Sequence, residues 1–327
     1  MNDINESIEE LISAQYPNIT GLIATGCGKV ALEHFSPGFS DQTPIHLSSV
    51  TKSITSMLFG IALEQGYIQS VEQRVLDFFP DYVLKRGERT LPQLRLKHLL
   101  SMTAPYKFRS EPYTRVYSSY DWTAASLDLL GGKGKIGQFK YTTPALHVLS
   151  GVLSNATGQT VADYANQELF APLGIAPVKN ITLNDRQQHL EFIRGAPERG
   201  WVTDPCGTNT PGWGLVLSTS DLVKLASLYL GNGFWDRQRL VSSAWIQQST
   251  SEQSRFGERR YGFLWWVMHE TEHNGYCALG DGGNALFVSP KHEVVVAITS
   301  RFVPRPKDRV TLFTEYLLPF LMGTRLG

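Results

Sequence analysis

Cysteine is scarce in this chain, with Cys27, Cys206 and Cys277 the only three in 327 residues. An odd number without metal-type spacing argues against a disulfide scaffold and for a reducing compartment. Net charge is missing too. Thirty basic residues balance thirty acidic ones, so no overall pull toward nucleic acid or an anionic membrane surface is expected. The longest apolar run, 57–63, falls far short of the roughly 20 residues that span a bilayer. The N-terminus, Met1-Asn2-Asp3-Ile4-Asn5-Glu6, has neither the basic start nor the apolar stretch of a signal peptide. The expectation is a soluble cytoplasmic protein with no nucleic-acid or membrane partner. A Gly-x-Ser-x-Gly nucleophile elbow is absent as well, and Gly134-Lys135-Ile136 lacks the hydroxyl of a phosphate loop. What remains is a globular composition, 42% hydrophobic, ample for one large domain or two.

The most informative stretch is 48–66. Residues 54–63 are apolar on nearly every face, which predicts a helix buried between two layers, with Ser48 as its cap and Gly66 as the left-handed residue that ends it. In its first turn Ser49 and Lys52 stand three apart and so project from one face. A serine hydroxyl hardly ionises at neutral pH and needs a neighbour to take its proton. An amine desolvated between layers, at the positive end of a helix, is pushed toward the neutral form that can do so. By itself Ser-x-x-Lys arises by accident in a chain of this composition. An accidental match on an exposed turn would not run straight into a wholly apolar helix.

Around this helix, helical spacing over 4–15 is followed by two strands, 20–25 and 30–35, that form a hairpin. Short helical pieces at 71–82 and 94–102 lead into an irregular aromatic stretch between Pro105 and Trp122. A loop of that length belongs either to a binding site or to packing over a core. Beyond the turn 131–135, Tyr141 precedes a helix begun by Thr143 as cap and Pro144 at its first position and ending near Gly158. Helices follow over 161–170, over 222–230 behind the cap 218–221, and over 241–248. From 261 the pattern reverts to strands, at 261–268, 276–279, 285–289 and 294–299, and a last helix covers 310–318. This order predicts an α/β (α+β) protein. One α/β domain is built from both chain ends, 1–66 and 255–327, with a mostly helical domain, 67–254, inserted.

Read in order, Ser49-Val50-Thr51-Lys52-Ser53, Phe78-Phe79-Pro80, Leu96-Lys97-His98-Leu99-Leu100-Ser101-Met102-Thr103, Tyr141-Thr142-Thr143, Pro172-Leu173-Gly174, Trp213-Gly214-Leu215 and Gly280-Asp281-Gly282-Gly283-Asn284 resemble the class C β-lactamase-like serine hydrolases. That superfamily also holds DD-peptidases, carboxylesterases and 6-aminohexanoate-dimer hydrolases, and the likeness runs nearly the whole length. The resemblance implies a β-lactamase/DD-peptidase-like fold, an antiparallel sheet flanked by helices, and a cofactor-free acyl-enzyme mechanism. Ser49 matches the acylated serine, Lys52 the lysine beside it, and Tyr141 the tyrosine of the second motif. A phenol near an ammonium can pass a proton between nucleophile and leaving group. Thr143, Asp281 and Gly282 fall at positions that bind substrate or the oxyanion.

Two positions depart from the pattern. Thr143 stands where relatives usually carry Asn or Ser, and the third motif offers Asp281 in place of a cation. A carboxylate there repels the carboxylate of a penicillin or peptide. Small neutral esters or amides are therefore the expected substrates, ahead of β-lactams and D-Ala-D-Ala peptides. A scaffold that has lost catalysis and serves as a binding or regulatory module is the alternative. His269-Glu270-Thr271-Glu272-His273 matches a zinc-protease pattern, but the run of strand residues into it does not supply the helix that pattern requires, so no metal is assigned. The Gly280 turn likewise lacks the helix of a dinucleotide fingerprint.

Overall fold

The computed structural model describes residues 2–195, 197–268 and 275–323. In chain order, helix α1 (Asn2–Gln15) precedes the hairpin of β1 (Ile19–Gly26) and β2 (Lys29–Phe35), then β3 (Ile45–His46) and helix α2 (Val50–Glu64). The middle of the chain carries α3 (Leu96–Leu100), α4 (Tyr113–Tyr117), α5 (Trp122–Leu129), α6 (His147–Thr157), α7 (Val161–Ala165), β4 (Lys179–Thr182), α8 (Arg186–Arg194), β5 (Gly200–Thr203), β6 (Leu215–Leu217), α9 (Thr219–Leu230) and α10 (Ser243–Ser249). Strands β7 (Ser254–Phe256), β8 (Arg259–Tyr261), β9 (Trp266–Met268), β10 (Gly275–Gly280), β11 (Asn284–Ser289) and β12 (Val294–Ser300) follow, and 309–323 is helical.

An eight-stranded sheet, antiparallel throughout, runs in the order β2-β1-β12-β11-β10-β9-β8-β7. Strand alternation gives its two faces different partners. Val294, Val296 and Ile298 of β12 pack with α1 and the C-terminal helical segment, whereas Val295 and Ala297 face the core that contains α2 and α9. Helix α2 lies between β10 and β11 on one side and α6 and α10 on the other, and every residue from Val50 to Ala62 is buried. That is why its sequence is apolar all round. Trp245 of α10 donates its indole N–H to Ser56 O at 2.9 Å and fills the space beside Gly60.

Three features depart from the sequence reading. A second sheet, β3-β6-β5-β4, lies within the part expected to be mostly helical and joins it to β3. Its strands, of two to four residues, are too short for periodicity to register. The strand expected over 261–268 is broken: Leu264 turns at φ +63° so that its N–H reaches Leu100 O and its carbonyl takes the Ser53 hydroxyl at 2.6 Å. Tertiary bonds to α2 and α3 thus override a continuous aromatic run. Third, Ser48 caps nothing. Ser48 adopts φ +50° and Ser49 a helical φ of −70°, so neither side chain has the extended backbone that aims a cap at the first-turn N–H groups. Gly66 does end the helix in the left-handed region, at φ +76°.

Candidate active site

Strand β3 delivers the chain to the site. Leu47 N–H donates to Leu215 O at 2.9 Å, and Ser48 then turns the chain into α2. A left-handed serine costs about 1 kcal/mol, and the Thr51 hydroxyl, donated to Ser48 O at 2.7 Å, helps hold it. One turn on, Lys52 is only 2% exposed. Its Nζ donates to Ser49 Oγ at 2.8 Å, to Gly212 O at 2.9 Å and to Thr143 Oγ1 at 3.2 Å. An ammonium has three donors and no acceptor, so these three oxygens satisfy a group otherwise costly to bury. A neutral amine in the same cradle keeps two N–H donors for Thr143 and Gly212, and its lone pair faces the Ser49 hydroxyl.

The second motif stands across from this amine. Lys52 Nζ lies 5.0 Å from the centroid of the Tyr141 ring, which is stacked on Trp266 at 6.0 Å and edge-on to Tyr261 at 6.3 Å. Thr143 does not cap the following helix; its hydroxyl goes to Lys52, and Thr142 Oγ1 instead accepts from Ala145 N–H at 3.3 Å. The backbone N–H of Thr143 donates to Glu111 Oε1 at 2.5 Å, and the same carboxylate accepts from the Tyr113 hydroxyl. Burial, the Glu111 carboxylate and nearby Asp281 all push the Tyr113 phenol well above its ordinary range.

The third motif is the β10–β11 turn. Gly280 passes so close to the nucleophile turn that a Cβ there would lie 2.5 Å from Leu47 O. Gly282, at φ +83°, then reverses the chain, and exposed Asp281 sits between the two. The turn is pinned from behind. Asn18 donates to Gly282 O at 2.6 Å, Arg309 Nε to Gly283 O at 3.1 Å, and Ser300 Oγ to the same carbonyl at 3.0 Å. Arg309 is 3% exposed and also donates to Asn18 Oδ1 at 2.7 Å; burial draws its pKa down to about 10. Within the described residues no hydrogen bond uses the backbone N–H of Ser49, Asp281 or Gly282.

The fold thus gathers Ser49, Lys52, Tyr141 and Thr143 around one amine, and it sets Asp281 near Tyr113. Tyr113 falls in the aromatic stretch between Pro105 and Trp122 that the sequence left open between a binding site and packing, whereas Glu111, in the same stretch, and Gly212, beside the Trp213-Gly214 motif, escaped the sequence reading. The stretch divides between the two roles: Tyr106, Val116 and Trp122 are buried and Tyr117 sits edge-on against Trp122 at 4.8 Å and Trp213 at 5.5 Å, whereas Tyr113 and Tyr120 are exposed. Trp201 has no exposed surface and donates to Thr210 O at 2.6 Å, so it cannot contact a ligand.

These motifs occupy one continuous chain, and the profile of the Beta-lactamase family matches residues 15–318. The chain belongs to the Beta-lactamase family. Among its relatives, the 6-aminohexanoate-dimer hydrolase of Paenarthrobacter ureafaciens is 22% identical over 330 residues, which cover 94% of this chain and 77% of that one. The fold is also that of a penicillin-binding protein homologue from Caulobacter crescentus, with a TM-score of 0.71, 16% identity and 92% of each chain covered. A family VIII carboxylesterase superposes with a TM-score of 0.68 at 15% identity, covering 97% of this chain and 96% of that one. Two of these similar proteins, the dimer hydrolase and the carboxylesterase, are named as hydrolases.

The pattern His269-Glu270-Thr271-Glu272-His273 lies outside the described residues. Among the described residues no three His, Cys, Asp or Glu side chains converge as a metal site requires, and no helix is long and apolar enough to cross a membrane.

Proposed function

We propose that this member of the Beta-lactamase family is a serine hydrolase that cleaves small esters or amides through an acyl-enzyme at Ser49. The observation that carries the reading is the buried Lys52 amine, 2.8 Å from Ser49 Oγ, with its other two donors taken by Thr143 and Gly212. In the neutral amine the lone pair takes the Ser49 proton as the oxygen attacks the carbonyl. Tyr141, whose ring faces the amine, hands a proton to the leaving group. The backbone N–H of Ser49 and one from the turn that holds Asp281 and Gly282 stabilise the oxyanion. Water then releases the acyl group by the reverse proton path, and no cofactor takes part.

Asp281 sets the substrate class. Its charge disfavours a carboxylate beside it and favours a neutral or amine-bearing group there, so short-chain esters and small amides with a free amine are preferred over penicillins and D-Ala-D-Ala peptides. Thr143 and Asp281, the two departures from the family pattern, motivate a second reading, a binding module that has lost turnover; the Lys52 amine donating to the Thr143 hydroxyl at 3.2 Å favours the hydrolase. Hydrolysis of short p-nitrophenyl esters decides between them. The parent is expected to exceed Ser49→Ala by at least about a thousandfold in kcat. Equal rates, with both proteins folded by circular dichroism, favour the binding module.

A further inference from the structure

Beside the nucleophile turn is a cavity of about 280 Å³ that involves none of the residues assigned to catalysis. Ser48, the residue next to Ser49, forms part of its wall, and Asn284 and Ser300, both 2% exposed, belong to its floor. Its charged lining residues are Arg194 and Arg301, with no carboxylate among them. Both arginines are exposed, and neither pairs with a described acidic residue. The Arg301 guanidinium rests over the Phe39 ring, 5.5 Å from its centroid, which fixes it at the cavity.

Two neutral donors join them. The Ser48 hydroxyl makes no hydrogen bond within the described residues, although Ser48 is 7% exposed and strained at φ +50°. His46 accepts from Gly214 N–H through Nε2 at 3.2 Å, and burial keeps the ring neutral, so Nδ1 carries the proton and is a donor. Phe39 and Phe302 supply apolar wall. Donors and cations without an acceptor of charge describe an anion site, and the planar fork of a guanidinium matches a carboxylate. The volume suits a short chain.

We infer that this cavity holds the distal carboxylate of a short acyl chain whose carbonyl is presented to Ser49. The inference rests on the acyl-transfer reading above and adds a second charged pole to the substrate. Asp281 is not among the cavity residues, although its turn adjoins them, with Asn284 Nδ2 donating to Asp281 O at 3.4 Å; the charges that line the cavity are those of the two arginines.

Mono-p-nitrophenyl glutarate and p-nitrophenyl pentanoate have the same chain length and differ in the terminal carboxylate. The parent is expected to prefer the glutarate half ester by about tenfold in kcat/KM, the scale of one charge-assisted hydrogen bond. The ratio should fall toward one in Arg194→Gln/Arg301→Gln. A parent ratio near one, or one that survives the double substitution, overturns the inference while leaving the ester hydrolysis itself intact. If neither ester is turned over, calorimetric titration with glutarate still decides. Glutarate binding that the double variant loses upholds the cavity as a carboxylate site, and absent binding, or binding of inorganic phosphate alone, overturns it.

Discussion

Lys52 has an acceptor for each of its three donors, so changes in the cradle act on the amine directly. Thr143→Val removes one acceptor and should lower kcat by about tenfold, whereas Thr143→Ser, which keeps the hydroxyl, should stay close to the parent. Equal losses in both variants would mean that the methyl, not the oxygen, matters. His46 gives a separate, pH-dependent test. Burial depresses its folded pKa to about 3 from the ordinary value of about 6.5, and it is only 8% exposed. A folded pKa below the unfolded one means that the unfolded chain binds the extra proton first. The stabilisation is complete above pH 6.5 and is lost as pH falls toward 3. Between pH 7 and pH 5 this one ring should withdraw about 1–2 kcal/mol. Burial depresses His34 and His98 in the same direction, so the comparison is with His46→Gln, whose denaturant midpoint should depend less steeply on pH over that window. An unchanged slope would contradict a buried neutral His46.

At the level of elements, the site is a meeting of the α2 N-terminus, the second-motif loop and the β10–β11 turn, with close backbone contact between the first and last. Gly280→Ala puts a Cβ 2.5 Å from Leu47 O, and overpacking of this kind costs about 1–3 kcal/mol. A lower melting temperature and slower ester turnover should appear together, and a variant with parental stability would show that the turn can give way. Arg309→Gln leaves the Gly283 carbonyl and Asn18 short of donors and should destabilise by about 2–3 kcal/mol, measured by urea denaturation. Helix α2 was legible from its residues because the apolar run, the closing Gly66 and the Ser-x-x-Lys spacing are all local. The resemblance supplied Tyr141, Thr143 and Asp281 by motif. Gly212 and Glu111 were not legible, because the first meets Lys52 across 160 residues and the second meets Thr143 across 32, and no local pattern marks either contact. Ser48 and Thr143 were misread as caps for a related reason. A hydroxyl at a helix start serves whichever partner the tertiary fold brings, and here Lys52 took Thr143.

Across the whole molecule charge is balanced, but the third-motif turn carries a carboxylate, Asp281, while the cavity beside Ser48 is lined by Arg194 and Arg301. Asp281→Lys should therefore shift selectivity toward substrates that carry a carboxylate beside the scissile bond, by about tenfold in kcat/KM relative to neutral esters. An unaltered ranking over a panel of esters, amides, lactams and D-amino-acid peptides would remove Asp281 from substrate selection. All of these effects presuppose that one hydroxyl becomes acylated. The direct test is to treat the parent and Ser49→Ala with a fluorophosphonate and locate the adduct by intact-mass measurement and peptide mapping. The account predicts a single adduct on Ser49 in the parent and none in Ser49→Ala; an adduct retained by Ser49→Ala, or mapped to another residue, would contradict it.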